Sequence, residues 1–195
     1  MAQKSISAAD ILPSSEYGKV RAERRRRITE LKQHRRLEVG PFATFYFESF
    51  DTMLHQIHEM LFIEKGGAAQ LPDELAAYNP LIPQGGELVA TVMLEIEDPV
   101  HRARALAGLG GIEHRAFIRV GGDTIKGVPE GDQERTRDDG KASSVQFMRF
   151  SFTAAQIAAF TGGAGDVIVG FDHANYGHMA VMPTAVRQAL STDLA

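Results

Sequence analysis

Residues 86–98 read GELVATVMLEIED, and their alternation sets the fold class. Leu88, Ala90, Val92, Leu94 and Ile96 fall on one face of an extended chain. Glu87, Thr91, Glu95 and Glu97 fall on the other, interspersed with Val89 and Met93. A period of two sustained over this length is the signature of a strand. Other segments repeat it: FATFYFE at 42–48 after the Gly40-Pro41 break, KASSVQFMRFSF at 141–152, and the uninterrupted apolar run DVIVGF at 166–171. HRAFIRVGG and DTIKGV read as a hairpin turning at Gly121-Gly122.

Helices fill the intervals. SSEYGKVRAERRRRITELKQHRR, residues 14–36, has Tyr17, Val20, Ile28 and Leu31 on one narrow stripe, which Arg24 and Arg35 join. Asp51 is a candidate N-cap for a helix over about 52–64 that stops at Gly66-Gly67. A second helix is expected from Pro72-Asp73-Glu74 to just before Pro80, and a short one from Asp98-Pro99 to the glycines of 108–111. TAAQ at 153–156 has the form of a capping box, and a last helix follows Pro183. The fold expected is a single α+β domain over 1–195. It has a mixed, mostly antiparallel sheet, helices packed on it and a basic N-terminal helix, with 1–12 flexible and 130–142 an exposed charged loop.

Composition narrows the chemistry. The 195 residues include no cysteine, which removes thiol catalysis, disulfides and cysteine-ligated clusters. No apolar run approaches the roughly 20 residues of a membrane span, and the N-terminus lacks a signal segment, so the expected compartment is the cytoplasm. Charge is uneven: residues 21–36 hold eight basic and two acidic residues, +6, within a chain of −4, leaving −10 elsewhere. Arg21, Arg25, Arg26, Arg27, Lys32 and Arg36 lie off the apolar stripe and form a candidate partner surface.

The stretch DTMLHQIHEML, residues 51–61, is the densest in chemistry. Leu54, Ile57 and Leu61 gather on one side of the helix with Met53 and Met60, and Thr52, His55, Gln56 and Glu59 gather on the other. His55 and Glu59 are spaced i, i+4 and His55 and His58 i, i+3, so these three could converge on a divalent metal or a haem. The spacing is not that of a zinc-protease or di-iron motif, and a solvated polar face is the plainer reading. On SVQFMRF, Gln146 shares a face with Met148, Phe150 and Phe152 and must find a hydrogen-bond partner there. Glu48, Glu87 and Glu95 raise the same question on their strands, and Asp172-His173 follows the buried run 166–171 at a strand end, where sites gather.

GPFATFYFESFDT, Gln56 with Glu59-Met60, AYNPLIPQGGELVATVMLEIED, SSVQFMRF and DHANY together resemble a bacterial family designated domain of unknown function 3501. The likeness runs from about Ile11 to Tyr176. The family pattern touches Glu48, Thr52, Gln56, Glu59, Met60, Tyr78, Asn79, Glu87, Glu95, Gln146, Arg149, Asp172 and His173. His55 and His58 are not among its usual residues, which turns attention to the Gln56–Glu59 edge. The resemblance implies a context more than a reaction. Genes of this family are often neighbours of those for rubrerythrin and for a cysteine-rich iron–sulfur oxidoreductase.

The site expected is therefore a partly buried polar cluster or ligand pocket built from Glu48, Gln56, Glu59, Glu87, Gln146, Arg149 and His173, with Arg24 as the cation. The function expected is an accessory protein of a redox or peroxide-stress system, docking on rubrerythrin or the iron–sulfur oxidoreductase through the basic helix. The alternative is a metal- or haem-binding enzyme or carrier using His55, His58 and Glu59. No cofactor motif is identified, and the overall acidity disfavours nucleic acid as a partner.

Overall fold

The structure is a computed structural model that describes residues 3–131, 136, 140–163 and 165–194. Its strands divide into two sheets, and every pairing is antiparallel. The first sheet runs in the order β1 (Arg36–Val39), β2 (Ala43–Phe47), β3 (Glu87–Leu94), β7 (Val145–Ser151), β6 (Val128–Pro129). The second runs β5 (Asp123–Lys126), β4 (Ala116–Val120), β8 (Ile168–Phe171), β9 (Met179–Val181). Six α-helices are formed among the described residues: α1 (Ser14–Gln33), α2 (Phe50–Glu64), α3 (Gly67–Tyr78), α4 (Pro99–Ala107), α5 (Ala154–Thr161) and α6 (Thr184–Ser191). The α+β class expected from the alternation is what the chain adopts.

Strand β3 organises the layers. Leu88, Ala90, Val92 and Leu94 enter the core between the sheets, where the Phe45 ring of β2 lies 5.2 Å from that of Phe171 in β8. Val89 faces the other way, into a second core built with Met53, Ile57 and Leu61 of α2, Leu81, Ile82 and, from the N-terminal segment, Ile6. The first sheet is thus covered on both faces, which is why Val89 interrupts the polar side of residues 86–98. The two sheets are joined by one continuous segment. Chain leaving β5 crosses at Gly127, whose N–H donates to the Ala116 carbonyl of β4, and then pairs with β7 as β6. A Cβ at Gly127 would sit 2.9 Å from the Phe150 ring, so the crossing needs a residue without one.

Several boundaries differ from expectation. Helix α1 ends at Gln33, because Arg36-Leu37-Glu38-Val39 alternates exposed and buried and pairs with β2 across the turn at Gly40. Gly40 has φ +71°. The N-cap of α2 is Ser49, not Asp51: Ser49 Oγ accepts from the Thr52 N–H and Thr52 Oγ1 accepts from the Ser49 N–H, a reciprocal box that Asp51 cannot make. Helix α3 starts at Gly67 and contains Pro72, since Leu71 and Leu75 on its inner face pack on the second core.

Residues 3–12, expected to be flexible, are bonded in place. Ile6 is 2% exposed, its N–H donates to Asn79 Oδ1 at 2.7 Å, and Lys4 Nζ donates to the Gln84 carbonyl. Of the expected charged loop 130–142, residues 132–135 and 137–139 lie outside the described residues. Ala142, at its end, is buried. No helix is long and apolar enough to cross a membrane among the described residues.

Candidate functional site

Helix α1 lies against α2, and the polar contacts between them centre on Glu59. Tyr17, Arg21, Arg24 and Ile28 follow one another at i, i+4, i+7 and i+11, so one stripe of α1 presents a phenol and two guanidiniums to α2. Arg21 donates from Nε to Glu59 Oε1 at 2.9 Å and from Nη2 to Oε2 at 2.8 Å, and the Tyr17 hydroxyl donates to Oε1 at 2.7 Å. The Arg21 hydrogen bonds hold the Glu59 carboxyl down to about 2, against the opposing effect of burial. Tyr17 is 1% exposed, and burial, reinforced by the Glu59 carboxylate, pushes its hydroxyl well above the usual phenol range. The cation expected here was Arg24. Arg21, placed by expectation on the outer partner surface, takes that role because it stands one turn beyond Tyr17.

The two histidines of α2 flank this group without converging with it on a common point. His58 is buried and stacked on Tyr17 with ring centroids 4.7 Å apart. Its Nδ1 lies 2.8 Å from the Leu54 carbonyl and its Nε2 accepts the Leu12 N–H at 2.9 Å, a pattern that requires the neutral Nδ1–H tautomer. Burial lowers its pKa accordingly. His55 is half-buried, with Nδ1 3.4 Å from the Tyr17 hydroxyl, and burial lowers its pKa too. Both His58 nitrogens and both Glu59 oxygens are thus already engaged. No group of three or more His, Asp or Glu among the described residues is placed to hold a metal ion, and His55, His58 and Glu59 are no exception.

The remaining expected residues occupy separate places. Glu48 is buried on the helix-facing side of the first sheet, accepting from Thr52 Oγ1 and Thr91 Oγ1 at 2.6 Å each. Burial raises the pKa of the Tyr78 hydroxyl, and Gln56 and the Glu48 charge act on it from nearby. Glu87 receives Arg149 Nη1 at 2.6 Å, while Arg149 Nε reaches Glu130 and Nη2 the Pro80 carbonyl. Glu95 accepts from Thr44 Oγ1 and the Tyr46 hydroxyl.

Gln146 is on the other side of the sheet. It stands opposite Val92, its Nε2 donates to the Ser143 carbonyl, and its buried Oε1 has no partner among the described residues. The sheet itself therefore separates Gln146 from Glu59 and Gln56. His173 pins loops instead of joining the cluster: Nε2 lies 3.2 Å from the Gly110 carbonyl and Nδ1 accepts the Asn175 N–H.

Two buried arginines were not foreseen as site residues. Arg35 is 6% exposed, donates to the Phe47 and Glu48 carbonyls and pairs with Asp193, whose carboxyl is raised by burial more than Arg35 lowers it. Arg187 donates to the carbonyls of Ala159, Phe160 and Gly165, closing the C-terminal end of α5 beside a cavity of about 410 Å³. Tertiary placement alone identifies them, although Arg35 does fall on the apolar stripe of the first helix.

What α1 leaves outward is cationic. Arg25, Arg26 and Arg27 are exposed and Lys32 half-buried, Arg36 is exposed just beyond on β1, and none forms an ion pair among the described residues. Between α1 and α2 opens a cleft of about 230 Å³ lined by Arg24, Arg27, Ile28, Asp51, Leu54 and His55.

The family model described as "Protein of unknown function (DUF3501)" matches residues 5–194, and the chain belongs to that family. A crystal structure of a novel protein of unknown function from Burkholderia pseudomallei K96243 is similar to this one at a TM-score of 0.90 and 35% identity, covering 98% of this chain and 100% of that one. A comparison with curated proteins finds no match.

Proposed function

From its place in the DUF3501 family, we propose that this chain is an accessory protein of a redox or peroxide-stress system that docks on a partner oxidoreductase through the outer face of α1. The observation behind this is the set of exposed guanidiniums, without an ion pair among the described residues, of Arg25, Arg26 and Arg27 on a helix whose inner face is anchored by Tyr17 and Arg21, with Arg36 exposed just beyond it on β1. A rigid cationic face on an acidic body steers and orients an acidic partner. The redox assignment rests on the gene neighbours that the family resemblance implies, rubrerythrin and an iron–sulfur oxidoreductase, whose cytoplasmic setting this reading shares. Without cysteine or tryptophan in the chain, the reading leaves the electron chemistry to the partner.

The test is capture of purified rubrerythrin and of the iron–sulfur oxidoreductase on the immobilised chain, with the Arg25→Glu/Arg26→Glu/Arg27→Glu variant alongside. Expected is retention of one of them at low salt, lost in the triple variant and lost as salt shortens the screening length to about 3 Å near 1 M. No retention at low salt, or equal retention by the variant, would reject the proposal.

A further inference from the structure

We infer that the cleft between α1 and α2 is a binding site for a compact oxyanion, phosphate or a small carboxylate, held by the guanidiniums of Arg24 and Arg27 with the His55 ring beside them.

The geometry that carries this is a mismatch of charge. Three arginines of α1, at positions 21, 24 and 27, approach the same side of α2. The carboxylate of Glu59 pairs with only the first, and both its oxygens already accept: Arg21 on each, with Tyr17 doubling on one. Arg24 is half-buried and, with Arg27, forms no hydrogen bond or ion pair among the described residues. Unpaired guanidiniums are ordinary when fully exposed. One held partly out of water at the mouth of a cleft, in ion-pair contact with no carboxylate among the described residues, favours an anionic ligand. The field of Arg24 already reaches inward, where it disfavours the protonated form of His58 and favours the ionised form of Tyr17.

The volume, about 230 Å³, suits a single oxyanion with its hydration rather than a nucleotide. Planar forks of guanidinium donors match carboxylate and phosphate oxygens two at a time. Ile28 and Leu54 supply apolar walls that lower the local dielectric and strengthen such bonds. Asp51 also lines the cleft, without an ion pair to either arginine. A carboxylate there opposes a fully ionised ligand and favours one that brings a hydrogen-bond donor, such as the monoprotonated face of phosphate. This site goes beyond the docking proposal and does not depend on it, because a free anion needs no protein partner.

The test is titration of the full chain with inorganic phosphate, and separately with acetate, at constant ionic strength, followed by calorimetry and by the NMR signals of the His55 ring and the Arg24 side chain. Expected is saturable one-to-one binding of at least one of the two anions that moves both signals. Arg24→Gln weakens it by about tenfold or more, as loss of a charge-assisted pair should, while Arg26→Gln, an equal change of net charge outside the cleft, leaves it unchanged. Asp51→Asn tightens it. Neither Arg24 nor Arg26 has a partner to lose among the described residues, so both variants should fold, which thermal melts verify. A response without saturation for both anions, or equal weakening by Arg24→Gln and Arg26→Gln, overturns the inference, since attraction would then be net charge alone. Arg24 is absent from the docking face, so its variant also separates failure of this site from failure of that face.

Discussion

Arg21 and Glu59 meet side-on across the α1–α2 interface, two parallel N–H···O bonds closing a ring between guanidinium and carboxylate. This pair and the Tyr17 hydroxyl attach a helix with few apolar contacts: Tyr17 is the one buried residue of α1. The outer arginines keep their orientation because this inner contact holds.

Glu59→Gln removes one charge and one acceptor from that ring. The expected result is a melting temperature lower by a few degrees at neutral pH. The folded carboxyl titrates near 2 against an ordinary 4.5, so the unfolded chain binds the proton first as pH falls. The stability due to ionised Glu59 is therefore complete above the ordinary value and lost as pH drops toward the folded one. Denaturant titrations of both proteins should show their difference shrinking between about pH 5 and pH 3. A difference constant over that range would refute the assignment.

His58 supplies a second pH dependence. Its folded pKa is lowered from 6.5, so its contribution is present above that value and declines as pH falls below it. The protection factor of the Leu12 amide, which His58 Nε2 accepts, should decline over that same descent, while that of Ile57, buried in the middle of α2, should not. His58→Phe keeps a ring against Tyr17 but strands the Leu12 N–H, at a cost of about 1–2 kcal/mol.

Asp193→Asn leaves the Arg35 guanidinium buried with carbonyls for partners and no counter-charge. Removing one member of a buried pair costs about 3 kcal/mol, which for a chain of this size lowers the melting temperature by about 6–12 °C. Replacing both, Arg35→Met with Asp193→Leu, should be much milder, because desolvation of the two charges offsets most of their attraction. Equal damage from the single and double changes, read by thermal melts, would contradict this account.

Gly127→Ala drives a methyl to within 2.9 Å of the Phe150 ring and 3.3 Å of Ala116 Cβ, where the chain passes between sheets. A loss of about 1–3 kcal/mol is expected. Gly86→Ala, whose Cβ meets nothing within 4 Å, should stay within about 0.5 kcal/mol of the parent.

Periodicity revealed β2, β3, β7, β8 and α2, because each has enough residues to display its period. It hid β1, whose four residues Arg36–Val39 read as the tail of a basic helix, and β9, whose three residues are too few to show any period. It also placed Arg24, not Arg21, opposite Glu59. A stripe drawn through Tyr17 and Ile28 takes in residue 21 or residue 24 depending on a few degrees of helix rotation, and only the packing of α2 decides. Gln146 shows the deeper limit. Its apolar face was legible from Met148 and Phe150, but a strand does not state which of its faces a helix will cover. The Glu59 edge of α2 came to lie on the opposite face. Glu48 gave no hint of Thr91, forty-three residues away, as its donor.

The clasp between Arg35 and Asp193 spans 158 positions of the chain. During synthesis the basic helix is made 158 residues before the carboxylate that neutralises its buried exit. Until then the nascent chain shows an uncompensated guanidinium and an open flank at the junction of α1 and β1. A nascent product stopped short of residue 193 should therefore remain in the care of chaperones.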